Sequence, residues 1–125
     1  MKLRIKGDSL RLRIAPSELL RLMEAGRIEE TVHFGLEADA RLTYALEVGV
    51  GGELAVRHQG TRVAVVLPAA IARAWAQGND VGVYGSVAVS GGLLEIAVEK
   101  DWACLDKSDP ENADTFPNPN EGASC

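Results

Sequence analysis

Cysteine is scarce in this chain of 125 residues: there are two, Cys104 and Cys125, both near the C-terminal end. Small exported domains held by disulfides spread their cysteines through the fold, so that class is excluded. Long apolar runs are absent too, and none approaches the ~20 residues that cross a bilayer. The start, Met1-Lys2-Leu3-Arg4-Ile5, alternates charged and apolar residues where a signal peptide has an unbroken apolar stretch. A cytoplasmic protein in a reducing compartment, with no membrane partner, is expected.

Histidine is nearly absent, with only His33 and His58. A structural zinc site takes about four Cys or His ligands. No C-x-x-C and no paired histidines occur, so neither a metal nor a cofactor is expected. The Gly-x-Ser-x-Gly elbow and the phosphate-loop pattern are also missing. Glu29 and Glu30 adjoin in a strand and so point to opposite faces, which rules them out as an acid–base pair. No catalytic residue is assigned.

The net charge of −5 is unevenly spread. Residues 101–125 hold six acids against Lys107, a net of −5, so residues 1–100 are neutral. Asp101 opens this acidic stretch, which contains Pro110, Pro117 and Pro119 and reads as an irregular tail. Trp102, Leu105 and Phe116 are expected to pin it to the body.

What the chain has is a repeat. Residues 3–32 align without a gap on 56–85, at an offset of 53. Leu3 falls on Val56, Gly7 on Gly60, Leu12 on Val65, Leu22 on Trp75 and Ile28 on Val81. At offset 52, residues 42–47 fall on 94–99. Apolar residues agree more than identities do, which suggests a duplicated unit of roughly 50 residues.

Period-two alternation at 2–6 and 10–14, around Gly7-Asp8, reads as a hairpin burying Leu3, Ile5, Leu10, Leu12 and Ile14. A helix from Pro16 to Gly26 presents Leu19, Leu20, Leu22 and Met23. Strands follow at 28–34 and 41–48. The second unit repeats this with strands 54–59 and 62–67, a helix after Pro68 carrying Ile71, Ala72, Ala74 and Trp75, and strands 81–88 and 93–100. The expected fold is α+β: two ββαββ units, 3–48 and 54–100, closing into a compact eight-stranded barrel with two short helices. Residues 1–100 are expected to form a single domain; the sequence leaves the oligomeric state open, and a monomeric pseudo-dimer is compatible with it.

The run Ile5-Lys6-Gly7-Asp8-Ser9-Leu10-Arg11-Leu12-Arg13-Ile14, then Pro16 and a helix, resembles the AbrB/MazE swapped-hairpin family, with Asp8 where asparagine is usual. Residues 57–68, followed by Gly91-Gly92, share the outline. The resemblance implies a dimer-like barrel fused into one chain and, in most members, DNA binding. The two ends of the chain are similar to a family of small bacterial proteins without assigned activity.

If Leu3 and Ile5 face inward, then Lys2, Arg4 and Lys6 face outward, with Arg11 and Arg13 beside them. Cations on one hairpin face hold phosphate without reading sequence. The candidate anion or nucleic-acid site is therefore Arg4, Lys6, Ser9, Arg11 and Arg13, with Arg57 and Arg62 from the second unit. The expected function is a non-catalytic binding module for nucleic acid or an acidic protein, with the acidic tail as a possible cover. A barrel resembling the triphosphate tunnel enzymes is the alternative, its cations pointing inward with Glu47, Glu95 and Glu99. A protein-interaction scaffold is the third reading.

Overall fold

The structure is a computed structural model and describes residues 1–101 and Phe116. Ten elements follow one another: β1 (Lys2–Ile5), β2 (Ser9–Ile14), α1 (Pro16–Ala25), β3 (Arg27–His33), β4 (Arg41–Gly49), β5 (Ala55–Gln59), β6 (Arg62–Pro68), α2 (Ala69–Gln77), β7 (Gly82–Val89) and β8 (Gly92–Lys100). None of the helices is long and apolar enough to cross a membrane, among the described residues.

The strands form two four-stranded sheets, not one closed barrel. Sheet A has the order β1-β2-β8-β7, and sheet B the order β3-β4-β6-β5. Each sheet joins a hairpin from the first half of the chain to a hairpin from the second. The joining contacts, β2–β8 and β4–β6, are parallel, while every hairpin is antiparallel. The barrel expectation failed because alternation specifies which face of a strand is buried and says nothing of whether edges meet. Here burial is satisfied by two open sheets sharing one core, and β1, β7, β3 and β5 remain edge strands.

That core contains Leu12, Ile14, Ile96 and Val98 from sheet A and Ile28, Leu46, Val65 and Leu67 from sheet B. The helices add Leu19 and Leu22 from α1, and Ala72 and Trp75 from α2. Leu20, Met23 and Ile71 were expected to join them but are exposed. A helix turning about 100° per residue buries 19 and 22 together and carries 20 and 23 round toward water. Ile5 is exposed as well, since it lies at the turn end of its hairpin.

The two joining contacts share one register. Ser9 pairs with Glu95, and Arg62, 53 residues after Ser9, pairs with Thr43, 52 residues before Glu95. The gapless match nevertheless breaks after the helices. Ile28 pairs with Leu46, and the residue that pairs with Val98, the counterpart of Leu46, is Val83. Ile28 therefore corresponds to Val83 and not to Val81. The two extra residues lie between α2 and β7. α1 stops at Gly26, which has left-handed φ (79°) and donates its N–H to Leu22 O. Gly78 ends α2 in an extended conformation, and the longer connection follows.

That connection is held by a buried lysine. Lys100 is 5% exposed and donates Nζ to Gly78 O at 2.9 Å, at the carbonyl end of α2. A cation there also complements the helix dipole. Its Nζ sits 5.6 Å from the centroid of Phe116, and the Phe116 N–H donates to Asp101 O at 2.7 Å. Phe116 thus packs against the core, as the sequence suggested. Trp102, Leu105 and both cysteines lie outside the described residues.

Candidate functional site

Sheet A turns Leu3, Leu12, Ile14, Ile96 and Val98 to the core, so the alternate residues face away from it. Register places three rows on that outer face: Lys2–Arg13–Glu99–Gly82, Arg4–Arg11–Ala97–Tyr84, and Ser9–Glu95–Ser86. Small Ala97 lies between Arg11 and Tyr84, and an open cleft of about 590 Å³ forms there. Arg4, Lys6, Arg11, Tyr84, Ser86 and Glu95 are among its lining residues.

Two chains of contact order this face. Arg11 Nε lies 3.1 Å from Glu99 Oε1, and the Tyr84 hydroxyl donates to Glu99 Oε2 at 2.6 Å. Tyr84 is pushed up to about 12, first by desolvation and then by its bond to the Glu99 carboxylate. With 58% of the residue exposed, the bond is the firmer of those two causes. Tyr84 reaches Glu99 over Gly82, where an added Cβ would stand 2.6 Å from Val98 O and 3.0 Å from the Tyr84 hydroxyl. At the other end, Lys2 pairs with Asp101 at 3.1 Å. Arg4, Lys6 and Arg13 have no ion-pair partner among the described residues.

Ser9 has a local duty. Its hydroxyl donates to Lys6 O at 2.8 Å, and Lys6 N–H donates to Ser9 O at 3.2 Å across the turn. Gly7 takes left-handed φ (54°) there, as Gly60 does (58°) at the matching turn of sheet B. Ser9 therefore offers a ligand acceptor lone pairs, its proton being committed.

The structure separates Arg57 and Arg62 from the other five candidates. They lie on the outer face of sheet B, where register aligns Arg27–Glu47–Val66–Ala55 and Glu29–Ala45–Ala64–Arg57. That face is partly neutralised, with Arg27 and Arg57 in ion pairs and Arg62 in none among the described residues. Glu47 takes both Arg27 and Arg57, the latter at 2.8 Å, and Arg27 also holds Glu29 at 2.7 Å. The hydrogen bond from Arg27 lowers the Glu29 carboxyl below its ordinary range, and that bond in turn raises Arg27. Glu47 and Glu99 hold corresponding strand positions, but Glu47 binds two arginines whereas Glu99 binds one arginine and a tyrosine.

The tunnel alternative needs cations lining a lumen. Arg4, Lys6, Arg11 and Arg13 instead sit on the solvent side of an open sheet, and Glu47 lies on the other sheet from Glu95 and Glu99. Among the described residues no group of three His, Cys, Asp or Glu side chains is placed to hold a metal ion. Sequence reasoning missed Tyr84, because Gly-Val-Tyr-Gly reads as an ordinary strand and its partner Glu99 is 15 residues away.

No curated protein and no solved structure matches this chain. Residues 1–120 match the family described as "Family of unknown function (DUF7009)", and the chain belongs to that family.

Proposed function

We propose that the protein is a non-catalytic binding module whose outer face on sheet A takes the phosphate backbone of a nucleic acid. The observation that carries this reading is the contrast between two equivalent faces. Sheet B spends Arg27 and Arg57 on Glu29 and Glu47 and leaves Arg41 and Arg62 without ion pairs, whereas sheet A leaves Arg4, Lys6 and Arg13 so on one hairpin, among the described residues. Arginine and lysine bind phosphate through charge-assisted hydrogen bonds that a polyanion multiplies along its length. A net charge of −5 for the chain does not oppose this, because binding follows local patches.

The same reading takes residues 1–100 as a single domain of two pseudo-symmetric repeats, 3–48 and 54–100. Each sheet combines a hairpin from either repeat, and the shared register of β2–β8 and β4–β6 supports an exchange of hairpins between duplicated units. That exchange is the arrangement the likeness to swapped-hairpin proteins implies. The acidic tail is proposed to compete for the basic face, and the Lys2–Asp101 pair is the first such contact.

The test is fluorescence anisotropy of a labelled oligonucleotide against the full chain over a salt series. Four cations, Arg4, Lys6, Arg11 and Arg13, neutralising four phosphates give a log–log slope near ~−3 for single strands. Arg4→Ala with Arg13→Ala should lower its magnitude by ~1.4, two phosphate contacts fewer. Salt-independent binding, or none at low salt, contradicts the proposal and leaves an acidic protein partner as the better account.

A further inference from the structure

We propose that the sheet A cleft selects single-stranded nucleic acid, with Tyr84 as the platform on which one base stacks and Arg11 as the neighbouring phosphate fork. This rests on the nucleic-acid reading above and names its ligand.

The pose of Tyr84 carries the inference. Its hydroxyl lies over Gly82 and bonds Glu99, whose register partner is Gly82 itself. The long axis of the ring therefore runs back along its own strand, over the sheet, instead of standing away from it. A ring laid along the sheet is covered on one side and open to solvent on the other, which agrees with 58% exposure. A lone exposed tyrosine has many rotamers, but this one is held by a bond at 2.6 Å and by the space a glycine leaves. Stacking on a ring already in place costs little further ordering.

The surroundings suit a nucleotide. Ala97 separates Tyr84 from Arg11 in the same row, two strands or ~10 Å apart. One nucleotide on Tyr84, met by a long arginine side chain, spans that interval. Glu99 takes Arg11 through Nε, which aligns the guanidinium while its terminal nitrogens keep their donors for phosphate. Ser86 and Glu95 line the cleft beside Tyr84 and supply polar groups for a base edge. The Glu95 carboxylate also repels phosphate, which keeps the backbone on the Arg4–Arg11 side. A duplex presents base edges in its grooves and buries base faces in its stack, so it cannot use this platform. Single strands expose those faces, and aromatic platforms beside a basic groove are how sheets hold them.

The experiment compares three labelled probes on the unaltered full chain at one low salt concentration: a thymidine 16-mer, an abasic 16-mer with the same phosphates, and a 16-base-pair duplex. Tyr84→Phe and Tyr84→Ala are then tested with the thymidine probe. The thymidine strand should bind at least ten-fold tighter than the abasic one. Tyr84→Phe keeps the ring and should stay within three-fold of the parent, whereas Tyr84→Ala should lose ten-fold or more. Equal affinity for thymidine and abasic strands overturns the platform even if both variants misfold. Equal loss in Phe and Ala variants overturns it as well, since the hydroxyl and not the ring would matter. In both cases salt-sensitive binding would leave the nucleic-acid reading standing. If no probe binds, both readings fall.

Discussion

Gly82 is set by what lies over it. A Cβ there would meet Val98 O at 2.6 Å and the Tyr84 hydroxyl at 3.0 Å, so a backbone or a ring must move. Gly82→Ala should cost ~1–3 kcal/mol of stability in denaturant melts, the usual range for overpacking. It should also free Tyr84 from Glu99, so that spectrophotometric titration places that tyrosine near its ordinary value in place of about 12. The raised value has a sign. Folding favours neutral Tyr84, so its contribution is complete below pH 10, the unfolded value, and fades as pH rises toward about 12. Glu99→Gln removes the carboxylate and should lower the Tyr84 midpoint, and an unchanged midpoint would contradict the bond. Glu29 works the other way. Its depressed carboxyl supports sheet B above pH 4.5 and loses that support as acid protonates it.

At the scale of elements, the two helices end differently although they began from matching sequence. Gly26 closes α1 with a left-handed turn, whereas the α2 end needs Lys100 from β8. Lys100→Ala should destabilise the chain by ~1–3 kcal/mol, because the Gly78 carbonyl loses a buried partner. Amide exchange at the end of α2 should quicken while that of α1 stays as it was. Equal protection at both ends would show that the lysine does not hold the helix. Element order and strand limits were legible in the sequence because alternation, glycine turns and proline starts each report local geometry. Every strand of the four hairpins was found within two residues of its place. The insertion before β7 was not legible. Val81 and Val83 are both valines two apart in the sequence, so a pattern of alternation is blind to a shift of two.

At the scale of the molecule, neither half owns a complete sheet. β1 and β2 need β8, and β5 and β6 need β4. Expressed separately, residues 1–52 and 53–125 should each fail to give a folded monomer, and mixing should restore a one-to-one complex with native-like circular dichroism. A half that folds alone as a monomer would contradict the hairpin exchange. The five cations Lys2, Arg4, Lys6, Arg11 and Arg13 were legible as one face because they alternate along a single hairpin. Their separation from Arg57 and Arg62 was not, since the repeat alone says nothing of which sheet each hairpin joins. Nor did the sequence disclose that Glu47 pairs with Arg27 and Arg57 while Arg4, Lys6 and Arg13 have no ion pair among the described residues, because those pairs cross between strands far apart in the chain.

The central claim is that ligand meets sheet A and leaves sheet B alone. It is tested most directly by amide chemical-shift mapping of the full chain during titration with an oligonucleotide. The account predicts shifts concentrated at Arg4, Arg11, Arg13, Tyr84 and Ala97, with little movement at Ala45, Arg57, Arg62 and Ala64. Shifts centred on the second set, or spread evenly over both sheets, would contradict it.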